Sequence, residues 1–118
     1  MKTLLPTLAV VLLLVAGACT PTVDGATFAG DETECSATLT CQGGKCGGVE
    51  YTIACTWNDT NQIYDCVCNA DGAAGETFSE AGVCVQDNGV FSDFDLADAA
   101  AHGVDDCKFP IAAGADEG

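Results

Sequence analysis

Between residues 50 and 69 the chain reads EYTIACTWNDTNQIYDCVCN, and its apolar and polar positions alternate. Tyr51, Ile53, Cys55 and Trp57 share one side of a period of two, and Thr52, Ala54 and Thr56 share the other, the pattern of a half-buried strand. A turn-rich NDTNQ interrupts the alternation, which resumes with Tyr64, Cys66 and Cys68 against Asp65, Val67 and Asn69. Two such runs around a short turn predict an antiparallel hairpin. Pairing Asn58 with Ile63 sets Trp57 opposite Tyr64, Cys55 opposite Cys66 and Ile53 opposite Cys68. Every aromatic and every cysteine of the hairpin then lies on one face, and a slip of one residue would divide that set between core and solvent. The Trp–Tyr pair contributes roughly 0.2 to 1 kcal/mol. Cys55–Cys66 becomes a candidate cross-strand bridge. Because residues i and i+2 of a strand point the same way, Cys66 and Cys68 both face the core, where at least one should meet a cysteine from another segment.

Downstream, Asp71-Gly72 signals a turn, Glu76 to Phe78 a short third strand and Val83-Cys84-Val85 a fourth, ended by Asp87-Asn88-Gly89. SDFDLADAAAHG, residues 92 to 103, predicts the one helix of the mature chain, over about 93–102. Ser92 caps it with Asp95 completing a capping box, Asp93, Asp95 and Asp98 sit at the positive end of the dipole, and Gly103 stops it. Phe94, Ala97 and Ala101 form the packing face, and Cys107 with Phe109 follows to staple the helix down. The fold class expected is a small disulfide-rich α+β domain, an antiparallel hairpin or meander over about residues 50–85 with this C-terminal helix packed on it.

The first eighteen residues obey a different pattern. Lys2, an apolar stretch from Leu4 to Ala16 and the small residues Ala16-Gly17-Ala18 make a signal peptide, 1–18. The stretch is too short to span a bilayer comfortably as a helix. Residues 20–34, TPTVDGATFAGDETE, have a linker composition with Val23 and Phe28 as the only large apolar residues. The division expected is a flexible acidic tether at 19–34, a cysteine-rich domain at 35–109 and a loose tail at 110–118.

Charge and composition narrow the function. All 18 acidic residues lie beyond the signal peptide, against only two lysines there. Such a surface repels nucleic-acid phosphates and anionic lipid headgroups, and both are excluded as partners of that surface. From Cys19 onward only 20 of 100 residues are Val, Ile, Leu, Phe, Trp or Tyr, a thin core that calls for covalent support. Nine cysteines are present, an odd number for an exported chain whose thiols pair in an oxidising compartment.

Val15-Ala16-Gly17-Ala18-Cys19 resembles the lipobox of bacterial lipoproteins, an apolar segment and small residues before the cysteine that becomes the mature N-terminus. The resemblance covers the first twenty or so residues. It implies cleavage before Cys19, a diacylglyceryl group on its sulfur, an acylated amine and attachment to a membrane through lipid alone. Thr20 stands where an Asp tends to retain such proteins at the inner membrane, so the resemblance implies the outer membrane or the cell surface. Setting Cys19 aside leaves Cys35, Cys41, Cys46, Cys55, Cys66, Cys68, Cys84 and Cys107, an even set for four disulfides at roughly 2 to 4 kcal/mol each. Ala16-Gly17-Ala18 also suits ordinary secretory cleavage at the same bond, which keeps a freely secreted cysteine-rich effector or inhibitor-like protein as the alternative.

Candidate chemistry is sparse. No C-x-x-C spacing occurs and His102 is the single histidine, which favours disulfides over zinc and leaves a histidine-dependent triad without its parts. QGGK between Cys41 and Cys46 completes no phosphate-binding pattern and reads as a tight, disulfide-flanked turn. Asp93, Asp95, Asp98, Asp105 and Asp106 are weak calcium candidates, lacking the D-x-[DN]-x-[DN]-G loop. Asn58-Asp59-Thr60 matches the N-glycosylation pattern in the expected hairpin turn. The expectation is therefore a monomeric, non-enzymatic binding or structural module without cofactor, its ligand an unidentified protein or glycan.

Overall fold

The computed structural model describes residues 20–42, 44–87, 90–91 and 94–114. The signal peptide, Cys19, Ser92, Asp93 and residues 115–118 lie outside the described residues. Five strands of eight residues form one antiparallel meander in sequence order: β1 Val23–Gly30, β2 Glu34–Cys41, β3 Tyr51–Asn58, β4 Ile63–Ala70 and β5 Ala73–Glu80. A two-residue ladder, β6 Gln86–Asp87 with β7 Val90–Phe91, precedes the helix α1 Leu96–Asp105. The molecule is thus the small disulfide-rich α+β fold that the alternation and the cysteine count imply.

The β3–β4 register is the one side-chain chemistry demands. Asn58 pairs with Ile63, Trp57 with Tyr64, Cys55 with Cys66 and Ile53 with Cys68. The Trp57 and Tyr64 rings meet edge to face at 4.9 Å, and Cys55–Cys66 is a disulfide. Asp71 and Gly72 turn the chain into β5 with positive φ at both positions, the two-residue geometry that matches strand twist. Cys35, Ala37, Leu39 and Cys41 of β2 continue the buried face of β3 and β4 across the sheet.

The remaining disulfides carry the sheet to what surrounds it. Cys41–Cys46 closes the glycine-rich turn, Cys35–Cys84 holds the segment after β5, and Cys68–Cys107 holds the end of α1. Phe94, fully buried, sits at the helix entry with its ring 5.9 Å from Phe28 of β1.

Several expectations are corrected. Residues 23–30, read as tether, are the edge strand β1, because an edge strand packs one face only and needs few large side chains: Val23 is buried, and Phe28 reaches both Phe91 and Phe94. The helix begins at Leu96, not 93, with Asp95 as N-cap and Asp98 returning the bond to the Asp95 backbone, so the capping box is Asp95/Asp98 rather than Ser92/Asp95. Gly103 does not stop the helix. It is a buried interior residue, and the chain turns instead at Lys108, whose φ is 60°. The third strand runs from Ala73 to Glu80 rather than over three residues, and Cys84 lies in a turn rather than on a strand, its sulfur placed by the bridge to Cys35. Residues 110–114, read as a loose tail, pack back on the sheet with Ile111 buried and Ala112 bridged to Thr22.

Candidate functional site

The meander has two poles. At one, β1 begins, β2 ends in the Cys41–Cys46 turn, β3 begins and β4 turns into β5; at the other lie the β1–β2 and β3–β4 turns and the end of β5. The first is the pole at which Thr20 and Pro21 lie. There the backbone is held from the start: Ala112 donates to the Pro21 carbonyl at 2.8 Å, and the Val23 amide donates to the Ala112 carbonyl at 2.9 Å. Gly114 supports this junction with φ +95°, so close to the Val23 carbonyl that a Cβ would lie 2.6 Å from it. Pro21, Thr22, Asp24, Gln42, Lys45 and Gly47 line a hollow beside it, with the Cys41 end of β2.

Charge differs between the poles. Asp31, Glu32, Glu34, Asp59, Asp65 and Glu80 cluster at the far pole, carried by the turns and strand ends there. Asp31 organises its turn, its Oδ1 accepting from the Thr33 and Glu34 amides at 2.9 and 3.2 Å. Tyr64 donates its hydroxyl to the Glu32 carbonyl at 2.7 Å. Burial, reinforced by the Glu32 and Asp31 carboxylates, pushes the Tyr64 phenol above its ordinary value. The near pole holds Lys45 with Asp24, Glu50 and Asp71, of which Asp71 accepts from the Glu50 amide at 2.9 Å.

His102 has partners on β5 and at the end of its own helix. Its ring stacks on Phe78 at 4.7 Å, its Nδ1 lies 2.7 Å from Asp106 and its Nε2 is 4.0 Å from Glu80. The Asp106 contact spans one helical turn; Phe78 and Glu80 could not be read from helix periodicity, since β5 brings them there across the fold. The arrangement orients an imidazole between two carboxylates and, among the described residues, offers no nucleophile hydrogen-bonded to it.

The four calcium candidates among the described residues do not converge. Asp95 and Asp98 cap the start of α1, whereas Asp105 and Asp106 stand at its end, about 15 Å away at 1.5 Å per residue. Burial pushes the Asp98 carboxyl above its ordinary value, opposed by the hydrogen bond it accepts from the Asp95 backbone and favoured by the Asp95 charge. Among the described residues no group of three or more His, Cys, Asp or Glu is placed to hold a metal ion. All eight cysteines from Cys35 to Cys107 are paired and 6 % exposed or less, so the domain presents no thiol for metal or nucleophilic chemistry. Asn58 lies at the β3–β4 turn as expected, its amide donating to Asp65 at 2.8 Å and its carbonyl accepting from the Asn61 amide.

One apolar concavity of about 300 Å³ was not read from the sequence. Phe28, Phe91, Phe94 and Leu96 line it together with Gln86 and Asp95. Its wall comes from β1, β7 and the helix entry, segments more than sixty residues apart in the chain, and no local pattern signals their meeting.

Four disulfides place this protein in an oxidising environment, extracellular or periplasmic. Among the described residues no helix is long and apolar enough to cross a membrane. Comparison with known proteins finds no family model, no curated protein and no solved structure that matches this chain.

Proposed function

We propose that this chain is a lipid-anchored envelope or surface protein whose folded part is a binding or structural module rather than an enzyme. The observation that carries the reading is the pairing of the cysteines. Every cysteine from Cys35 to Cys107 has an intramolecular partner, and Cys19, at the end of a lipobox-like segment, is the one cysteine left over. A leftover thiol at a signal-peptide boundary has a use as an acyl acceptor, and two or more acyl chains anchor stably at roughly 0.8 kcal/mol per buried CH₂. The four cross-links support the thin core by constraining the unfolded chain. A scaffold without a free domain thiol, with its single imidazole held beside Asp106, suits recognition or spacing better than group transfer.

Intact-mass measurement tests the anchor. The expected mature species starts at Cys19, carries acyl mass and has no free thiol in the domain. A mature chain starting at Cys19 without acyl mass would overturn the anchor and favour the alternative, a freely secreted cysteine-rich effector cut at the same Ala18–Cys19 bond. Blocking lipoprotein maturation separates the two in cells, since only a lipoprotein accumulates with its signal peptide attached.

A further inference from the structure

The anchored reading, taken with the observed start of β1, leaves the chain almost no tether. Only Thr20 separates Cys19 from Pro21, whose carbonyl is already bonded to Ala112, and the next residues are bridged and sheet-bonded. Two residues reach at most about 7 Å when fully extended. A domain held this closely cannot tumble freely above a bilayer; it must present its near pole to the lipid headgroups.

We infer that the domain stands end-on at the membrane, with the near-pole rim of Pro21, Thr22, Asp24, Gln42, Lys45 and Gly47 against the headgroups and the more acidic pole pointing outward. This rests on the lipid-anchor reading and deepens it. Three independent features agree. The rim residues carry no large apolar side chain, so the surface suits contact with headgroups rather than insertion among acyl chains. Lys45, one of the two cations of the mature chain, is exposed on this rim beside Asp24, so that the near pole, with Asp24, Glu50 and Asp71, carries fewer unbalanced carboxylates than the far one. The carboxylates of Asp31, Glu32, Glu34, Asp59 and Glu80 sit one strand length away, about 23 Å for the seven steps of an eight-residue strand, with Asp65 two residues inside the far end of β4. That separation is about three Debye lengths at physiological ionic strength, so an anionic membrane scarcely repels them in this pose. Tilting the sheet flat would bring them against the lipid.

The single tryptophan supplies a native probe, because Trp57 lies next to the last residue of β3, at the outward pole. The acylated full-length mature protein is reconstituted into phosphatidylethanolamine/phosphatidylglycerol vesicles containing a phospholipid with a nitroxide on its headgroup. Trp57 emission is expected to be unaffected by the nitroxide. In a Trp57→Phe, Gln42→Trp variant, which keeps an aromatic against Tyr64 and places the probe on the exposed near-pole turn, the emission is expected to be largely lost. Inserting a Gly/Ser linker of about twelve residues after Cys19, with a reach of roughly 20 Å, should abolish the difference between the two probes. Equal quenching at both positions without the inserted linker, or stronger quenching at Trp57, would overturn the end-on pose while leaving the anchor intact. Absence of acyl mass together with failure to float with vesicles would overturn the anchor, and the pose with it. Near-ultraviolet circular dichroism and a non-reduced mass lacking free domain thiols establish that each variant is folded.

Discussion

Gly103 offers the sharpest test of how the helix is held on the sheet. It occupies the interior of α1 without a positive φ, so its glycine character is not needed for the backbone. Replacing it with alanine would by helix propensity alone stabilise the protein by about 0.8 to 1.0 kcal/mol. The packing says otherwise. A Cβ at 103 would lie 2.9 Å from Leu39 Cδ1, 3.3 Å from Ile111 Cδ1 and 3.4 Å from Phe109 Cδ2. Favourable carbon contacts lie at about 3.5 to 4.0 Å, and Leu39 is 1 % exposed in the middle of β2, with no open space to retreat into. Forcing a methyl into a filled core costs about 1 to 3 kcal/mol. Set against the propensity gain, Gly103→Ala should be destabilising by about 1 kcal/mol, and Gly103→Val by more. The assay is urea unfolding with the disulfides intact, followed by Trp57 fluorescence, which reports from the other end of the sheet; the midpoint should fall with the slope unchanged. Leu39→Ala supplies the control. On its own it should cost about 2 to 5 kcal/mol, and in the Gly103→Ala background clearly less, because the added methyl enters the space that Leu39 vacates. Stabilisation by the full propensity difference, or additivity of the two changes within about 0.5 kcal/mol, would refute close approach as the reason for the glycine.

Tyr64→Phe removes the bond to the Glu32 carbonyl and should cost about 1 kcal/mol at neutral pH. It should also flatten the alkaline limb of a stability–pH profile: the native phenol holds its proton above the ordinary value of about 10, so the wild-type native state binds more protons than the unfolded chain and loses stability as pH rises through that value. The disulfides should rank by the loop they close when each is replaced by an alanine pair. The chain-entropy relation gives about 4 kcal/mol for Cys35–Cys84 and Cys68–Cys107, with sequence separations of 49 and 39, and about 2 kcal/mol for Cys41–Cys46, separation 5; an equal cost for all would refute the ranking. Asp98 titrates with the opposite sign to a salt-bridged carboxylate. Its raised value means that stability is gained as pH falls through the carboxylate range, so Asp98→Asn should reduce the acid-side gain in thermal scans, whereas Asp95→Ala should lose about 1 kcal/mol of capping.

What the sequence determines by itself is local and periodic. The β3–β4 register was legible because Trp57, Tyr64 and three cysteines must share a face, and a period of two leaves one pairing that allows it. The Asp71-Gly72 turn and the tight turn between Cys41 and Cys46 were legible for the same reason, since each is decided by residues a few positions apart, although the bond between those two cysteines was not. Tertiary structure decided whatever depends on a distant partner. The segment 23–30 has the composition of a tether and becomes a strand because β2 supplies a bonded edge and Phe94 a surface for Phe28. Gly103 looks like a helix stop and instead admits Leu39, a residue more than sixty positions earlier, so the chain continues to Asp105. Cys35–Cys84 and Cys68–Cys107 follow from where folding brings the segments, since eight cysteines allow 105 pairings and no spacing rule selects among them. The same distant contact, Pro21 and Val23 bonded to Ala112, shortens the tether from the 16 residues expected to hardly more than Thr20. Composition cannot register that difference, because backbone hydrogen bonds to a remote segment leave no trace in the residues that make them.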